Sequence, residues 1–481
     1  MSDWDATHSS SINEGLDVEM PDGQWLNQSI INAMLAAGNT TQHTIAESAT
    51  RILWGLFQTG LMDNPNRNGS IYHNVSSRSH IRLARRLAAT SSVLLQNKGD
   101  ILPLDVNVNR SIGQPDSSGS IREIAVFGAQ AVDPIYHGGC PGAGCSPSSG
   151  QVKAGYVSTP LVSLRNALAI PPGQNCSFTN RTAAICVRHS NGTDVVAATQ
   201  LAAKSDVAIV FVGCTGSEGR DRPNLTLGSG QDELIEEVAR AQLARHKHSR
   251  TIVVAVSPGP ILTPWRDSVA AIIAAFMPGQ EYGNAIVDIL LGKLSPAGKL
   301  PVTFPAAPNQ YGFTNQTWCG QGQGTMFTCT SNHSEGLEIG YRWFDAKNAT
   351  PAFPFGAGLP GYSTFRYSDL LATPTSVSFT LQNTGSRTAA ETPQLYLAFP
   401  PSAGEPPWQL KGFQKTTLAS GDKVKVVLPL TPRDLSIWSV DKHNWIEVEG
   451  RFGVAVGSSS RDHRLVDSMD IHHTHASERA G

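Results

Sequence analysis

Residues 207–212 have the sequence Val-Ala-Ile-Val-Phe-Val, and residues 251–256 have the sequence Thr-Ile-Val-Val-Ala-Val. Strands that are apolar at nearly every position are typical of a sheet buried on both faces. A helical pattern covers 231–244 between them, and similar strand and helix patterns cover 124–127, 270–276 and 284–291. The alternation of strands and helices predicts an α/β domain with a mainly parallel sheet.

Helical periodicity precedes this domain. Apolar residues recur at helical spacing within 25–61, and a further helix is predicted over about 77–90, continuing into the apolar stretch 92–95. The segment that follows the domain, about 306–335, is polar, Gly-rich and Cys-bearing, and it is predicted to be a long loop.

The last hundred residues have a different pattern. Helical signals end near residue 365, and short strand-like runs separated by turn signals follow at 376–381, 394–399, 423–430 and 451–456. Their spacing predicts an antiparallel β-sandwich of about 100 residues. The polar tail from about residue 458 is expected to fray.

Length and charge limit the classes of function. A chain of 481 residues predicts two or three domains. Lys+Arg 37 against Asp+Glu 39 gives a net charge of −2, so the chain has no net positive charge that would attract a nucleic acid or an anionic membrane. No apolar run reaches the roughly 18–20 residues needed to cross a bilayer. Neither a nucleic-acid nor a membrane partner is expected, and the oligomeric state is left open.

Two features indicate an oxidising, secretory compartment. The chain is rich in Asn-x-Ser/Thr glycosylation acceptors, at Asn27, Asn39, Asn68, Asn74, Asn109, Asn175, Asn180, Asn191, Asn224, Asn315, Asn332 and Asn348. Six cysteines are close in sequence as the pairs Cys140 and Cys145, Cys176 and Cys186, and Cys319 and Cys329, which predicts short disulfide loops. Cys214 is left over and is expected to pack as a small buried hydrophobe. The opening residues lack the apolar stretch of a signal peptide.

Two acidic residues are candidates for chemistry. Glu218 lies in 213–222, directly after the strand at 207–212, and open α/β sheets bind ligands at the carboxyl ends of their strands. The alternative is a solvated loop carboxylate paired with Arg220 or Arg222. Asp3, beside Trp4, would by itself be part of a frayed terminus.

Other chemistry-bearing patterns are weaker. The Gly-rich stretch 138–144 lacks the spacing of a phosphate-binding loop, and its cysteines favour a disulfide loop. His472, His473 and His475 form a tract that is expected to bind metals only adventitiously. No cofactor and no metal are therefore expected.

Several motifs occur in a fixed order along the chain: 1–8 (MSDWDATH), 15–21 (GLDVEMP), 92–104 with SVLLQN and LPL, 278–285 (PGQEYGNA), 296–305 (PAGKLPVTFP), 335–345 with GYRWFD, and 353–356 (FPFG). Together they resemble glycoside hydrolase family 3, in particular the secreted fungal β-glucosidases. The terminal sandwich is similar to the family's fibronectin type III-like domain.

The resemblance implies roles for individual residues. Asp3 matches the catalytic nucleophile and Glu218 the general acid/base, and Trp4 would bind the substrate by stacking on a sugar ring. Trp4 could instead pack at an interface. Asp221 and Arg222 would hold the acid/base loop. A retaining glycosidase needs two carboxyl groups about 5–5.5 Å apart and no cofactor.

The resemblance also implies an architecture. Residues 1–85 would be the C-terminal remnant of a (β/α)8 barrel, comprising its last two strands, and 86–305 an α/β sandwich. Residues 306–364 would be a Gly/Cys-rich loop and linker, 365–460 the fibronectin type III-like domain and 461–481 a disordered tail. Six barrel strands of the family precede the nucleophile, so the sequence is expected to be the C-terminal part of a longer secreted enzyme. Asp5 stands where the family usually has glycine.

The expected function is that of a retaining β-glucosidase, releasing terminal β-D-glucose from oligosaccharides or glucosides in cellulose or polysaccharide degradation. Its partner would be a small carbohydrate substrate. Residues 224–227 (NLTL) resemble the glucosidase version of the motif more than the xylosidase version, although β-xylosidase remains an alternative. The other alternative is a non-catalytic remnant that acts as a carbohydrate-binding or interaction module.

Overall fold

The computed structural model describes residues 1–65, 70, 73–106, 121–136, 154–170, 185–216, 222–311 and 333–472. The chain divides into two compact units, Met1–Ser76 and Ser77–Gly481. Within the described ranges, every helix is too short or too polar to cross a membrane.

The unit Met1–Ser76 contains a 3-10 turn, Ile12–Glu14, and two helices, α1 (Gln28–Ala36) and α2 (Gln42–Gln58). Both helices begin at side-chain caps. Asn27 Oδ1 accepts from the Ile30 amide at 3.0 Å, and Thr41 Oγ1 accepts from the Thr44 amide at 3.1 Å. Each cap satisfies a backbone donor that the helix itself cannot satisfy.

The first residues of this unit lie beside the segment that ends at Met20. Trp4 and Met20 form a parallel bridge, Ser2 N donates to Val18 O at 2.9 Å, and Asp5 N donates to Met20 O at 3.1 Å. One bridge does not make a sheet, so the assignment of 1–85 as the last two strands of a barrel stays a prediction.

The second unit begins with helix α3 (Arg78–Ser91) and a six-stranded sheet in the order β1-β6-β5-β4-β2-β3. The strands are β1 (Val93–Asn97), β2 (Glu123–Phe127), β3 (Cys186–Ser190), β4 (Val207–Gly213), β5 (Thr251–Val256) and β6 (Ala271–Ala274). Strands β2 to β6 pair in parallel and β1 is antiparallel to β6. The predicted, mainly parallel sheet is confirmed.

The prediction that the helix at 77–90 continues into 92–95 is wrong. Helix α3 ends at Ser91, and the chain turns directly into the edge strand β1. Val93 and Leu94 are both buried but lie in different hydrophobic clusters, one on each face of the sheet. This alternation is the period of a strand, and a short apolar run cannot be distinguished from a helix end by composition.

Helices cover both faces of the sheet. With α3, helices α4 (Pro160–Ala167) and α7 (Tyr282–Leu290) contribute to one buried cluster; α5 (Val195–Ala202) and α6 (Gln231–Arg245) contribute to the other. Every residue of β4 and β5 is buried. Because both faces of the sheet are covered, these strands do not alternate between polar and apolar residues.

A β-sandwich follows the short helix α8 (Tyr341–Ala346). Its strands, all paired antiparallel, are β7 (Phe365–Thr373), β8 (Ser376–Asn383), β9 (Ala389–Glu391), β10 (Gln394–Ala398), β11 (Gln409–Phe413), β12 (Thr416–Leu418), β13 (Lys423–Pro429), β14 (Ser436–Ser439), β15 (Asn444–Glu447), β16 (Gly450–Ser459) and β17 (Asp462–Ile471). The two larger sheets have the orders β11-β10-β16-β17 and β13-β8-β7 and enclose a third core. Short 3-10 turns occur at Lys98–Asp100, Ala129–Ala131, Arg266–Ser268, Pro401–Ala403 and Pro432–Leu435.

The expected disordered tail, 461–481, is wrong for its first half. Asp462–Ile471 forms β17, which pairs with β16 along most of its length. Most polar and charged side chains of β17 are exposed, whereas Met469 and Ile471 are buried. An edge strand of this composition resembles a polar tail in sequence. Residues 473–481, with His473 and His475, lie outside the described residues.

A buried ion pair joins the α/β part of this unit to the sandwich. Lys299 Nζ lies 2.8 Å from Glu391 Oε1 and also donates to Ser458 Oγ at 2.8 Å and to Gly358 O at 2.7 Å. The Glu391 side chain is 0% exposed. Because burial disfavours the charged amine more than Glu391 favours it, the pKa of Lys299 lies below its usual value.

Candidate active site

The first candidate segment, in the unit Met1–Ser76, carries Asp3. Asp3 is exposed, and its Oδ1 accepts a hydrogen bond from the Trp4 amide at 2.8 Å. The Trp4 side chain is 66% exposed, so its ring is open to a ligand. Asp3 and Trp4 are neighbours in sequence, and both are exposed at the surface of the first unit.

The turn after Trp4 has an unusual backbone. Asp5 has a φ of 53°, in the left-handed region that favours glycine. Aspartate enters this region more easily than most residues because its short polar side chain can hydrogen-bond locally. The departure from glycine at this position is therefore compatible with the turn.

Residues that the sequence analysis did not single out support this segment. Ser2 Oγ accepts from the Met20 amide at 2.9 Å, and Glu19 Oε2 accepts from the Trp25 and Leu26 amides at 2.8 and 2.6 Å. Motif 15–21 contained Glu19, but nothing in its spacing identified those amides as its partners.

The Asp17 carboxylate forms a salt bridge with Arg51, which is distant in sequence. Arg51 Nε and Nη2 donate to the two Asp17 oxygens at 2.9 and 2.7 Å. This bidentate pair lowers the pKa of Asp17 to about 2. The carboxylate therefore stays ionised across the physiological range.

The second candidate segment, in the other unit, follows β4. Glu218 and Asp221 lie outside the described residues, within 217–221; Gly216 and Arg222 are the described residues on either side. The chain leaves β2 toward β3 on one side and leaves β4 toward β5 on the other, so the carboxyl ends of β2 and β4 form a topological switch point. Open α/β sheets bind ligands in the crevice at such a point.

A cleft of about 610 Å³ opens at this switch point. Segments that follow three strands line it, including Gly128 after β2, Asn191 after β3, and Cys214 and Arg222 after β4. Thr215 and Arg222, which precede and follow the segment 217–221 in sequence, thus both line the cleft.

Arg222 is half-buried and donates to two groups within the described residues. Its Nη1 donates to Cys214 Sγ at 3.1 Å, and its Nη2 donates to Pro260 O at 2.5 Å. Cys214 is a free thiol that packs against one of the two cores, as expected, and burial raises its pKa. Cys186 is disulfide-bonded, and the other five cysteines lie outside the described residues.

Gln231 fixes the loop on the far side of the cleft. Its Oε1 accepts from Gly213 N at 2.9 Å, and its Nε2 donates to Gly213 O and to Leu227 O, both at 3.0 Å. The side chain thereby ties the end of β4 to the loop that precedes α6. A glutamine at the start of a helix gave no signal of this role in the sequence.

The charge of Arg222 acts electrostatically on the Tyr311 hydroxyl. Burial raises the pKa of Tyr311 to about 12, and the Arg222 guanidinium partly opposes the shift. The Tyr311 hydroxyl donates to the Thr303 carbonyl, and its ring packs edge-on against Phe344 at 5.3 Å. Tyr311 is thus held as a neutral phenol.

The model of the "Glycosyl hydrolase family 3 C-terminal domain" matches residues 92–360, which is more than half of the chain. The chain belongs to glycosyl hydrolase family 3. A second family model, the "Fibronectin type III-like domain", matches residues 391–460, within the sandwich.

Relatives in this family have similar sequences. "Probable beta-glucosidase L" of Aspergillus terreus is 34% identical over 98% of this chain, and "Thermostable beta-glucosidase B" of Acetivibrio thermocellus is 30% identical over 98% of it. The match covers 66% and 59% of these relatives, respectively. The chain therefore spans about two thirds or less of their length.

Solved structures in the family have the same fold. The "Beta-D-glucoside glucohydrolase" of Trichoderma reesei matches with a TM-score of 0.76 and 28% identity, over 97% of this chain and 67% of that chain. The β-glucosidase D2-BGL of Chaetomella raphigera matches with a TM-score of 0.76 and 30% identity over the same shares.

One acidic residue of the family motifs has a structural role. Glu281, in motif 278–285, is 2% exposed and accepts hydrogen bonds from the Tyr156 hydroxyl and from Asn284 Nδ2, the latter at 2.8 Å. Both carboxylate oxygens are occupied inside the protein. Glu281 is therefore a packing residue of the family 3 fold and not a candidate for acid/base chemistry.

Proposed function

We propose that this chain supplies both catalytic carboxyl groups of a retaining β-glucosidase, Asp3 as nucleophile and Glu218 as general acid/base. The observation that carries the proposal is the topological switch point at the carboxyl end of β4, in a family 3 domain, after which the sequence continues into 217–221 with Glu218. The exposed pair of Asp3 and Trp4 supports it from the other segment.

The reaction has two steps. The Asp3 carboxylate attacks the anomeric carbon while Glu218 gives its proton to the glycosidic oxygen, so that the bond to the aglycone breaks and a glycosyl ester forms on Asp3. Glu218, now ionised, takes a proton from a water molecule. That water attacks the anomeric carbon, the ester bond breaks, and the sugar leaves with its original configuration. The Trp4 ring would cover one face of the sugar.

The proposed substrate is a terminal β-D-glucose residue of an oligosaccharide or glucoside, as in cellulose or polysaccharide degradation. The names of the relatives as β-glucosidases support glucose over xylose. The proposal includes secretion, which the disulfide at Cys186 supports because such bonds persist in oxidising compartments. It also includes residues 1–85 as the last two strands of a (β/α)8 barrel.

The test is turnover by the purified protein on paired 4-nitrophenyl β-glucoside and β-xyloside. We expect hydrolysis of the glucoside with retention of the anomeric configuration. NMR of the first anomer released would measure this outcome. Asp3→Asn and Glu218→Gln should each lower kcat by at least about a hundredfold. Asp441→Asn, which changes an exposed carboxyl of the sandwich, is the matched control.

Other outcomes assign the alternatives. Faster turnover of the xyloside would favour a β-xylosidase. Binding of glucose or cellobiose in calorimetry without any turnover would favour a carbohydrate-binding module. Full activity in Glu218→Gln would contradict the proposed acid/base, whatever the substrate.

A further inference from the structure

Another cavity opens at the edge of the six-stranded sheet opposite the switch point. Its volume is about 720 Å³, within the range of small-molecule sites. Strands β5 and β6 begin at this edge, and β1, which runs antiparallel to β6, ends there. This cavity shares no described lining residue with the cleft beside β4, so the two are separate.

Two segments that are distant in sequence bring positive charge to this cavity. Lys98 comes from the 3-10 turn after β1, and Lys247 and Arg250 come from the segment between α6 and β5. Asp267 is the one carboxylate among the described lining residues. Because the whole chain has a net charge of −2, this local excess of cations is not a general property of its surface.

The cations are held in place without carboxylate partners among the described residues. Lys98 Nζ donates to two carbonyl oxygens, Arg266 O at 3.3 Å and Asp267 O at 2.9 Å, which fix the ammonium group without cancelling its charge. Arg250 is half-buried, and its Nε has no hydrogen-bond partner in the described part of the chain. A partly desolvated guanidinium attracts an anion more strongly than a fully hydrated one does.

The end of helix α6 explains only part of the basic character of this region. The helix dipole favours a cation at the position of Arg245, but that side chain is paired with Asp206 at 3.2 Å and does not line the cavity. His246 lines the cavity as a neutral side chain, because burial lowers its pKa and the charges of Arg250 and Arg245 lower it further. The charge therefore comes from the two lysines and Arg250.

The remaining walls suit the carbon skeleton of an organic ligand. Ile101, Val269 and Leu243 supply apolar surface, and Leu243 is 44% exposed. Ser249 and Ser268 supply hydroxyl groups that can bind the polar groups of a ligand. A mainly apolar wall with a few polar and charged groups is typical of a small-molecule site.

We propose that this cavity binds a small organic oxyanion, a phosphate ester or a carboxylate of about monosaccharide size, with Lys98, Lys247 and Arg250 holding the charged group. Hydrogen bonds from ammonium and guanidinium groups to such oxygens are about twice as strong as those between neutral groups. The inference does not depend on the roles proposed for Asp3 and Glu218, because it concerns the opposite edge of the sheet.

The test is calorimetric titration of the whole chain with ribose 5-phosphate and with galacturonate, which carry the two kinds of oxyanion. Ribose is the uncharged control, and none of the three is a glucoside that the proposed active site would take. We expect a dissociation constant of about 1 mM or tighter for at least one anion, at least about tenfold weaker binding of ribose, and weaker binding of the anion in higher salt. The tighter anion would identify the phosphate ester or the uronate as the source. No detectable binding of either anion would overturn the proposal.

Single variants assign the binding to the named cations. Arg250→Gln should weaken binding by at least about tenfold, and Arg250→Lys, which keeps the charge but loses the planar fork, should lie between it and the wild type. Lys247→Gln changes an exposed side chain and should weaken binding by about fivefold with an unchanged thermal midpoint. The matched control is Lys425→Gln, an exposed lysine of β13, which should bind like the wild type. Unchanged affinity in Lys247→Gln and Arg250→Gln would overturn the proposal.

Hydrogen–deuterium exchange locates the bound anion. The tighter anion should slow exchange in the peptides that cover 97–101 and 246–251. Protection confined to the cleft residues 213–216 and 222–231 would place the anion in the candidate active site and would overturn the proposal. Inorganic phosphate that binds as tightly as ribose 5-phosphate would contradict the role given to the apolar wall.

Discussion

The two compact units differ in how many of their apolar side chains are buried. In the described part of Met1–Ser76, Ile12 is the one apolar residue that is buried, whereas α2 exposes Trp54 at 65% and Phe57 at 54%. In the second unit, β4 and β5 are buried at every position. Helices α1 and α2 are thus supported by caps and local hydrogen bonds, and the sheet by packing on two faces. Because most helix stability in proteins comes from packing, the first unit should be far less stable.

The largest expected effect is in local stability. Amides of α2 should exchange about ten-thousandfold faster than those of β4 and β5, since a capped helix with an exposed apolar face opens locally while the sheet exchanges only by global unfolding. Hydrogen–deuterium exchange with mass spectrometry on the whole chain measures both in one sample. Equal protection in α2 and β4 would show that the apolar face of α2 is covered, and would contradict the expected difference in stability between the two units.

The next effect concerns the ion pairs of the two units. Lys299→Met leaves the carboxylate of Glu391 buried without its cation and should cost about 3–5 kcal/mol in free energy of unfolding, measured in urea. Arg51→Met removes an exposed cation from Asp17 and should cost less than about 1 kcal/mol.

A double variant distinguishes the effect of the buried charge from the effect of packing. Lys299→Met with Glu391→Leu removes both charges, and most of the lost stability should return because no buried charge remains. A double variant as unstable as Lys299→Met alone would mean that packing around Glu391, and not its charge, determines the loss.

The smallest effect is the acid titration of the first unit. Folding lowers the pKa of Asp17 from 3.8 to about 2, so its pair with Arg51 contributes stability above pH 3.8 and loses that contribution as the pH falls toward 2. Carbon-13 NMR of the Asp17 carboxyl should show a midpoint near 2, moving toward 3.8 in Arg51→Met. A midpoint that does not move would place the cause in another contact.

The sequence predicted the sheet and the sandwich because their strands carry distinctive patterns. The runs at 207–212 and 251–256 are long enough and apolar enough to be strands of a buried sheet. Val93–Asn97 was missed because it follows a helix with no polar break, and Asp462–Ile471 because a polar edge strand resembles a tail. Local composition does not report the partner that makes a segment a strand.

The candidate site was less accessible to sequence reasoning. The position of Glu218 after a buried strand made it a candidate, but the roles of Asp3 and Glu218 came from resemblance to a family, since an isolated carboxylate carries no signal of its role. The contacts of Arg222 with Pro260 and of Gln231 with Gly213 join residues from different segments of the chain, and no motif spacing encodes them. Such contacts follow from the order of strands in the sheet, which becomes known only with the fold.

The ion pair between Lys299 and Glu391 also limits how the sandwich can be exchanged with that of a relative. A chimera that exchanges the sandwich for that of a relative with an apolar residue at the position of Glu391 would inherit a solitary amine in its interior. Grafts should therefore transfer positions 299 and 391 as a set, and a crossover point between them is safe only when both parents carry the same charges.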